Sequence, residues 1–547
     1  MNVRKLILAI LLCTSVLAGA QSTKESYNIR RAMEAAQSQD WETSLNFLGQ
    51  ELQVNPTNGY AYAFAAIICD IMDYKHVILP FSKRALELLP KKDWQMNAEM
   101  RHRQARIYFE AEDSTKAEKL WKDALYWHRD VDYYNNIADL MEKQDRFDEL
   151  ETLAKQCMKA FPKDPVSFNI LASVQYDMKQ YEEAVATVDK GLKTCKEMKK
   201  WQEGMLRSTK TDALRKLHRY DEALPECMKT ARLLPPRGCP KLVTLADSMD
   251  MQIVLDSVEA AFQQKPTEVN WLLIESDIYE HHNNYVQAAY QSLRAAKVEE
   301  QAGLYTGAGE MILTHIGDAE LSEQYYLKAL EVDSLRARSW MGLARLYHDL
   351  GRYDESLKAI QRCIDLDPEH KNSGSICYLR GRIYHSMHNY EQALDDYTRE
   401  LVRNPREKHF WTYLVTLYKA VGDTAAAKKA IEQGCREMGD NISAEMYIVM
   451  GDSAAAYEKT KQMVKNDNRW AEHYNAACAY ARILHTDEAL AELERAFEQG
   501  CRSFYHIAWD DDLDSIRELP EFKELVAKYK AVSLEETAEL KRLISTL

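Results

Sequence analysis

The chain has 547 residues, 46% of them hydrophobic and 29% charged, with a formal net charge of −14. That length admits several ordinary domains or one extended array. The acidity excludes a protein whose overall field gathers nucleic acid or an anionic membrane surface, although it is compatible with a local basic strip.

The first twenty residues read as a targeting segment. Arg4 and Lys5 form a positive start, Leu6 to Leu12 an apolar core, and Ala18-Gly19-Ala20 a small-residue cleavage site before Gln21. Leu12 precedes Cys13, where attachment of a lipid would need a small residue. No later apolar run approaches the roughly 20 residues that span a bilayer. The expectation is an exported chain, periplasmic or secreted, with no membrane span.

Beyond the leader, apolar residues follow helical spacing in paired short runs. A first pair from Glu25 holds Trp41 and ends at Pro56; a second from Gly59 holds Tyr62, Ala66 and Ala85 and ends at Pro90. Pairs from Ala98, Val131 and Pro165 carry Tyr108 and Trp121, then Tyr134 and Cys157, then Phe168 and Tyr181. Each shows an apolar face at i, i+3, i+4, i+7, a turn, and a second apolar face. Pro80 and Pro225 fall inside expected second helices, which predicts helices that start late or kink there.

Between Cys195 and Pro266 the regularity lapses. Pro235-Pro236-Arg237-Gly238-Cys239-Pro240 packs three prolines and a glycine into six residues, an argument against helix interior. A shortened hairpin, Lys241 to Asp247 and Met251 to Gln263, follows. The organisation read from this is a leader over 1–20, an N-terminal array over 21–234, a hinge-like hairpin over 235–268, a C-terminal array over 269–503, and a capping segment with a terminal helix over 504–547.

From Val269 the spacing recovers, and its clearest copy is Ala337 to His370. Trp340, Leu343, Ala344 and Tyr347 share one helix face, Leu350-Gly351-Arg352 breaks it, and Tyr353, Ile360 and Cys363 form a second face ended by Pro368. Further units start at Gly374, Lys408 and Trp470, with a short hairpin around Gly451-Asp452. In these residues the sequence resembles the tetratricopeptide repeat family. The resemblance implies an all-α, right-handed α-solenoid of helix-turn-helix hairpins, and the distance from Glu25 to Trp470 holds about 13 periods of 34 residues, hence about fourteen hairpins. Gly500 to Phe504, Trp509 to Leu513, Ile516, Pro520 and Phe522 resemble the closing segment that follows the last repeat in bacterial members. Such a cover is expected because a terminal hairpin has no outer neighbour.

Apart from Cys13, ten cysteines remain, and no C-x-x-C occurs. Cys69, Cys157, Cys227, Cys363 and Cys377 fall on packing positions of the repeat, so buried thiols are expected; a Cys363–Cys377 bridge is the alternative. No nucleophile elbow, P-loop, dinucleotide fingerprint or zinc-protease helix is present. With the mature chain consumed by hairpins, the expectation is no catalysis, no cofactor and no metal. Asp510, Asp512, Asp514 and Glu521 have calcium-loop spacing, but Ser515 stands where that loop needs glycine, so a solvated acidic loop is the better reading. Asp-Ser/Thr triplets at Asp113, Asp247, Asp256, Asp333, Asp423, Asp452 and Asp514 resemble a bacterial O-glycosylation acceptor, against which stands the preference of Asp and Ser for helix starts.

The resemblance also places first-helix residues on a concave groove. There Arg338, Arg345 and His348 of one unit and Arg382 and His385 of the next form a repeated basic pattern, continued by Lys419. Guanidinium groups bind carboxylates bidentately. The functional expectation is therefore a non-enzymatic scaffold or adaptor of the cell envelope that binds a protein or peptide partner along its concave surface, these six residues serving as partner-binding positions. The alternative is a binder of an anionic glycan or wall fragment through the same strip. The family's best-known carboxylate clamp uses Lys and Asn at fixed positions, from which this pattern departs. Asn135, Asn136 and Asn169 offer hydrogen bonds to an extended backbone in the N-terminal groove.

Overall fold

The computed structural model describes residues 26–366, 376–406, 408–439, 442–465 and 469–547. The leader with Cys13, and Glu25, Pro368, His370 and Gly374 of the repeat pattern, lie outside the described residues. Among those described, every regular element is a helix. Six hairpins run from Tyr27–Gln37 with Trp41–Val54 to Lys200–Lys216 with Tyr220–Leu233. One joins Pro235–Ala246 to Met251–Gln264, and seven more run from Asn270–His281 with Tyr285–Val298 to Trp470–Arg482 with Thr486–Glu498. The fourteen hairpins anticipated from the spacing are thus present as an all-α array. The chain divides into two compact units, Met1–Lys241 and Leu242–Leu547. Within each, a helix packs on its hairpin partner and on the next hairpin, as in a solenoid. No helix among the described residues is long and apolar enough to cross a membrane.

The hairpins share one turn. Asp73, Lys179, Asn283, Gly351, Gly422 and Leu484 each adopt a left-handed φ just past a first helix. The next residue's N–H reaches back to the carbonyl five residues earlier, as from Tyr74 to Cys69 (2.8 Å) and from Arg352 to Tyr347 (2.7 Å). This is the αL closure that satisfies the last carbonyls of a helix. Capping Asp residues then open second helices: Asp113, Asp423 and Asp452 accept from the backbone N–H of Lys116, Ala426 and Ala455. Capping alone accounts for those three Asp-Ser/Thr triplets. Where helices cross, a serine on the second reaches a carbonyl on the first, as Ser44 does to Ala32 (2.7 Å) and Ser322 to Gly309 (2.8 Å).

Two sequence expectations are corrected. Pro235–Ala246 is a helix with Pro240 inside it. Pro235 and Pro236 occupy a first turn whose N–H groups have no intrahelical partner, so they cost that turn nothing. Gly238 serves close approach: a Cβ there would lie 2.1 Å from the Ala231 nitrogen. Nor do the helices holding Pro80 and Pro225 start late; Lys75–Leu88 and Tyr220–Leu233 both begin in register and carry their prolines within. The ten described cysteines are free thiols, Cys363 and Cys377 included, and burial pushes Cys157, Cys227 and Cys363 up to about 12.

Candidate functional site

The site lies in Leu242–Leu547 and is made by the chain's own C-terminal segment. After Thr486–Glu498 the chain turns at Gly500, which has φ +86° and lies against Tyr285: a Cβ there would sit 2.0 Å from the Tyr285 ring. Tyr285 donates from its hydroxyl to the Gln499 carbonyl (3.0 Å) and stacks on His315 at 3.9 Å between centroids. The Arg502 N–H reaches the Thr314 carbonyl (2.8 Å), and the Ser533 hydroxyl reaches that of Ile316. The receiving residues Ile312–Ile316 form a π-helical turn, a wider coil often found at such junctions. The final helix Pro520–Ile544 packs on Tyr285–Val298, with Leu540 fully buried among Ile312, Ile316 and Leu321. Lys541 adds an ion pair to Asp318 at 2.7 Å.

The link between them, Phe504–Trp509 with Asp511–Leu513, covers the last hairpin as the sequence implied, then goes further. Trp509 donates from Nε1 to the Asp349 carbonyl (3.1 Å) and stands edge-on to His348 (4.8 Å). His506 lies between carboxylates, its Nδ1 3.6 Å from Asp349 and its Nε2 3.3 Å from Asp510. Burial opposes charge on His506, but the two carboxylates outweigh it and push its pKa up to about 9. Reciprocally, burial would raise Asp349 and Asp510, yet the neighbouring imidazoles, His348 and His506 at Asp349 and His506 at Asp510, hold both well below the usual carboxylate range. Tyr474 also donates to Asp510 (2.5 Å). The acidic loop expected to be solvated is exposed at Asp511 and Asp514, but Asp510 is engaged by His506 and Tyr474.

This segment is a fixed wall. Phe504, Ile507, Leu513 and Ile516 are all buried. At about 1.5–3 kcal/mol for each buried side chain, the four together contribute about 6–12 kcal/mol, comparable to the ~8 kcal/mol that a micromolar ligand supplies.

Between this wall and the first helices of four hairpins, Ile376–Ser386, Lys408–Ala420, Ala444–Met450 and Trp470–Arg482, lies a cleft of about 870 Å³. Tyr378, Tyr413, Tyr474 and Trp509 supply its aromatic lining, and Arg382, His385 and Arg482 face Glu445, Asp511 and Asp512. The hydroxyls of Tyr378 and Tyr413 share a hydrogen bond of 3.1 Å. Burial, together with Asp510, Glu445 and Asp511, pushes Asp512 up to about 6 against the opposing pull of Arg482.

The six anticipated partner-binding residues separate into three environments. Arg382 and His385 line the cleft, and burial lowers the His385 pKa. Arg345 is exposed, whereas His348 is 1% exposed beneath Trp509 and bonds to Ser386 (3.1 Å), so the two do not share an accessible face. Arg338 pairs with Glu310 (2.6 Å), and the Lys419 ammonium donates to the Val449 carbonyl. A continuous free basic strip is thus not what these residues form: helix spacing sets which direction each points, while the returning segment and neighbouring hairpins decide what meets it there. In the first unit Asn136 donates to the Asp132 carbonyl (2.6 Å), Asn135 to Asp139 (3.4 Å), and Asn169 accepts from Thr209 (3.3 Å). Sequence reasoning missed Tyr378, Tyr413, Tyr474, Glu445 and Asp511. The one local signal was Trp509 followed directly by three aspartates.

Comparison with known proteins finds similarity over two stretches of the array. Residues 335–401 match the tetratricopeptide repeat family. Over that stretch the chain is similar to tetratricopeptide repeats. Residues 125–203 match a model described as anaphase-promoting complex subunit 5. Among solved structures, yeast Tom70 is 13% identical, with 80% of this chain and 96% of that one covered and a TM-score of 0.36. A tetratricopeptide repeat protein from Parabacteroides merdae is 18% identical, over 48% of this chain and 98% of that one, at 0.32. The structure of Naa15/Naa10 bound to HypK-THB is 13% identical over 95% and 99%, at 0.30. The comparison with curated proteins finds no match.

Proposed function

We propose that this tetratricopeptide repeat protein is a non-enzymatic scaffold that binds a protein or peptide partner on the first-helix face of its second unit. The observation that carries the reading is the cleft: side chains from four successive hairpins converge on a space large enough for several residues of a partner. Arg382 is half-buried there against aromatic rings, and buried arginine and aromatic side chains are the usual anchors of binding energy. The hairpins and the closing segment use the described chain for packing, which supports a binding role over a catalytic one. Export by the leader and a place in an envelope complex belong to the same proposal and rest on Arg4, Lys5, Leu6 to Leu12 and Ala18-Gly19-Ala20.

The test is photo-crosslinking in the source cells, with the crosslinker at His385 in the cleft and, as a control, at exposed Val402. The expected result is a discrete protein or peptide adduct from His385 alone, lost with Arg345→Glu plus Arg382→Glu. Equal adducts from both positions, or an unchanged adduct in the double variant, would sink the reading. N-terminal sequencing of the recovered protein should begin at Gln21, and an intact leader would refute export.

A further inference from the structure

The cleft is lined by groups of both charges, and several of them have no hydrogen-bonded counter-charge. The Arg382 guanidinium lies over Tyr378 (5.7 Å to the ring centroid) and Trp509 (5.8 Å). No carboxylate or carbonyl among the described residues accepts a hydrogen bond from it. Its five donors therefore face the cleft or rings that accept weakly. The same lining holds Glu445, Asp511 and Asp512. Asp512 has one cation near it, Arg482 at 3.4 Å, and the carboxylates of Glu445 and Asp511 have no hydrogen bond or ion pair among the described residues. Asp510 is engaged by His506 and Tyr474. Burial pushes Asp512 up to about 6, with the neighbouring carboxylates adding to it and Arg482 opposing.

A ligand of a single charge fits this arrangement poorly. An anion on Arg382 shares the cleft with three carboxylates that it does not answer, and a cation among the carboxylates leaves the guanidinium unanswered. A partly buried charge is stable only when paired.

We propose that the cleft binds a zwitterion, a short peptide with both termini free, its carboxylate on Arg382 and its ammonium among Glu445, Asp511 and Asp512. The guanidinium fork takes the carboxylate with two parallel N–H···O bonds. The three N–H groups of the ammonium match three carboxylates, and the tyrosine and tryptophan rings receive the side chains between the termini. A volume of about 870 Å³ suits a peptide of a few residues rather than a free amino acid. This deepens the partner-binding reading above and rests on it, since it takes the same cleft as the binding surface.

The experiment titrates the mature full chain with a mixed library of free tripeptides, by native mass spectrometry and then calorimetry on the best member. That member is compared with its N-acetylated and C-amidated forms. Each block should weaken binding by about tenfold or more. Arg382→Gln should remove the sensitivity to amidation, and Glu445→Gln with Asp512→Asn the sensitivity to acetylation. Arg382→Lys provides a second variant should the glutamine form fail to fold, with circular dichroism as the check; it should bind more weakly than the parent and keep part of the amidation effect. End-blocked peptides that bind as well as free ones would overturn the proposal and leave a peptide-binding cleft standing. Sensitivity to acetylation alone would mark a cation site and overturn it too. Absence of binding at about 1 mM by every library member overturns it as well. If the His385 crosslink persists in that case, the partner reading survives, and if it is also absent, both fall.

Discussion

The two units are built from the same hairpin and treat their inner faces differently. In Met1–Lys241 contacts run between neighbouring helices, and a bond as long-ranged as Thr209 to Asn169 spans 40 residues. In Leu242–Leu547 the bonds from Trp509 to Asp349, Tyr285 to Gln499 and Ser533 to Ile316 span 160, 214 and 217 residues. A repeat array is by default one-dimensional, each unit touching only its neighbours. One returning segment converts the second unit into a body whose first-helix face is an enclosed cleft. A groove read from repeat register is therefore only as open as the tail allows.

If that contrast is right, breaking the tail's contacts should destabilise the second unit and leave the first untouched. The largest effect is expected for His506→Ala, which leaves Asp349 and Asp510 buried without their cation. Loss of one partner of a buried charge cluster costs about 3–5 kcal/mol. Hydrogen exchange should show faster opening across Tyr285–Val298 and Phe504–Trp509, with no change before residue 235. Exchange accelerated in both units would break the comparison.

The same cluster predicts a pH dependence. The folded pKa of His506, about 9, lies above its unfolded value of about 6.5. Its contribution is complete below about pH 6.5 and is lost as pH rises through 9, amounting to about 3 kcal/mol. Asp349 and Asp510 are depressed, so their contribution is kept above the ordinary carboxylate range and lost in acid. Denaturant titrations at pH 6.5 and 9.5 should separate the unfolding of the two units more widely at the higher pH, and a constant separation would count against the buried imidazolium.

A smaller effect is expected for Gly500→Ala. The left-handed backbone and the Tyr285 ring together cost it about 2 kcal/mol, read as a lower midpoint for the second unit. Trp509 fluorescence, quenched or shifted on opening, should report the same transition. A variant that leaves the midpoint in place would show that the seam at Tyr285 is not where the tail is held.

How far the fold could be read follows from what repeats locally. Apolar spacing, turn residues and caps are short-range properties, so Trp340, Leu343, Ala344 and Tyr347 located a hairpin that the structure shows over Ala337–Asp349 and Tyr353–Leu366. Glycine marked the turns at Gly351 and Gly422, but the same left-handed turn is made by Lys179 and Leu484, where residue type gave no warning. Proline was read too strictly, because its cost depends on where in the helix it falls, and Pro235 begins a helix. Of the basic pattern, Arg382 and His385 line the cleft, and Arg345 is exposed outside its lining. His348, Arg338 and Lys419 are taken by Trp509, Glu310 and Val449, which no periodicity could place.

Sequence by itself determined the hairpin, its number and its register, because each depends on residues within about 34 positions of one another. Tertiary structure alone decided that Asp349 and Asp510, 161 positions apart in numbering, share one imidazole. It also decided that the acidic stretch after Trp509 borders the same cleft as Arg382. The physical reason is that burial and charge pairing are set by the path of the returning chain, and that path is fixed by packing at Gly500, Ile316 and Leu540 rather than by any local preference of the residues it brings together.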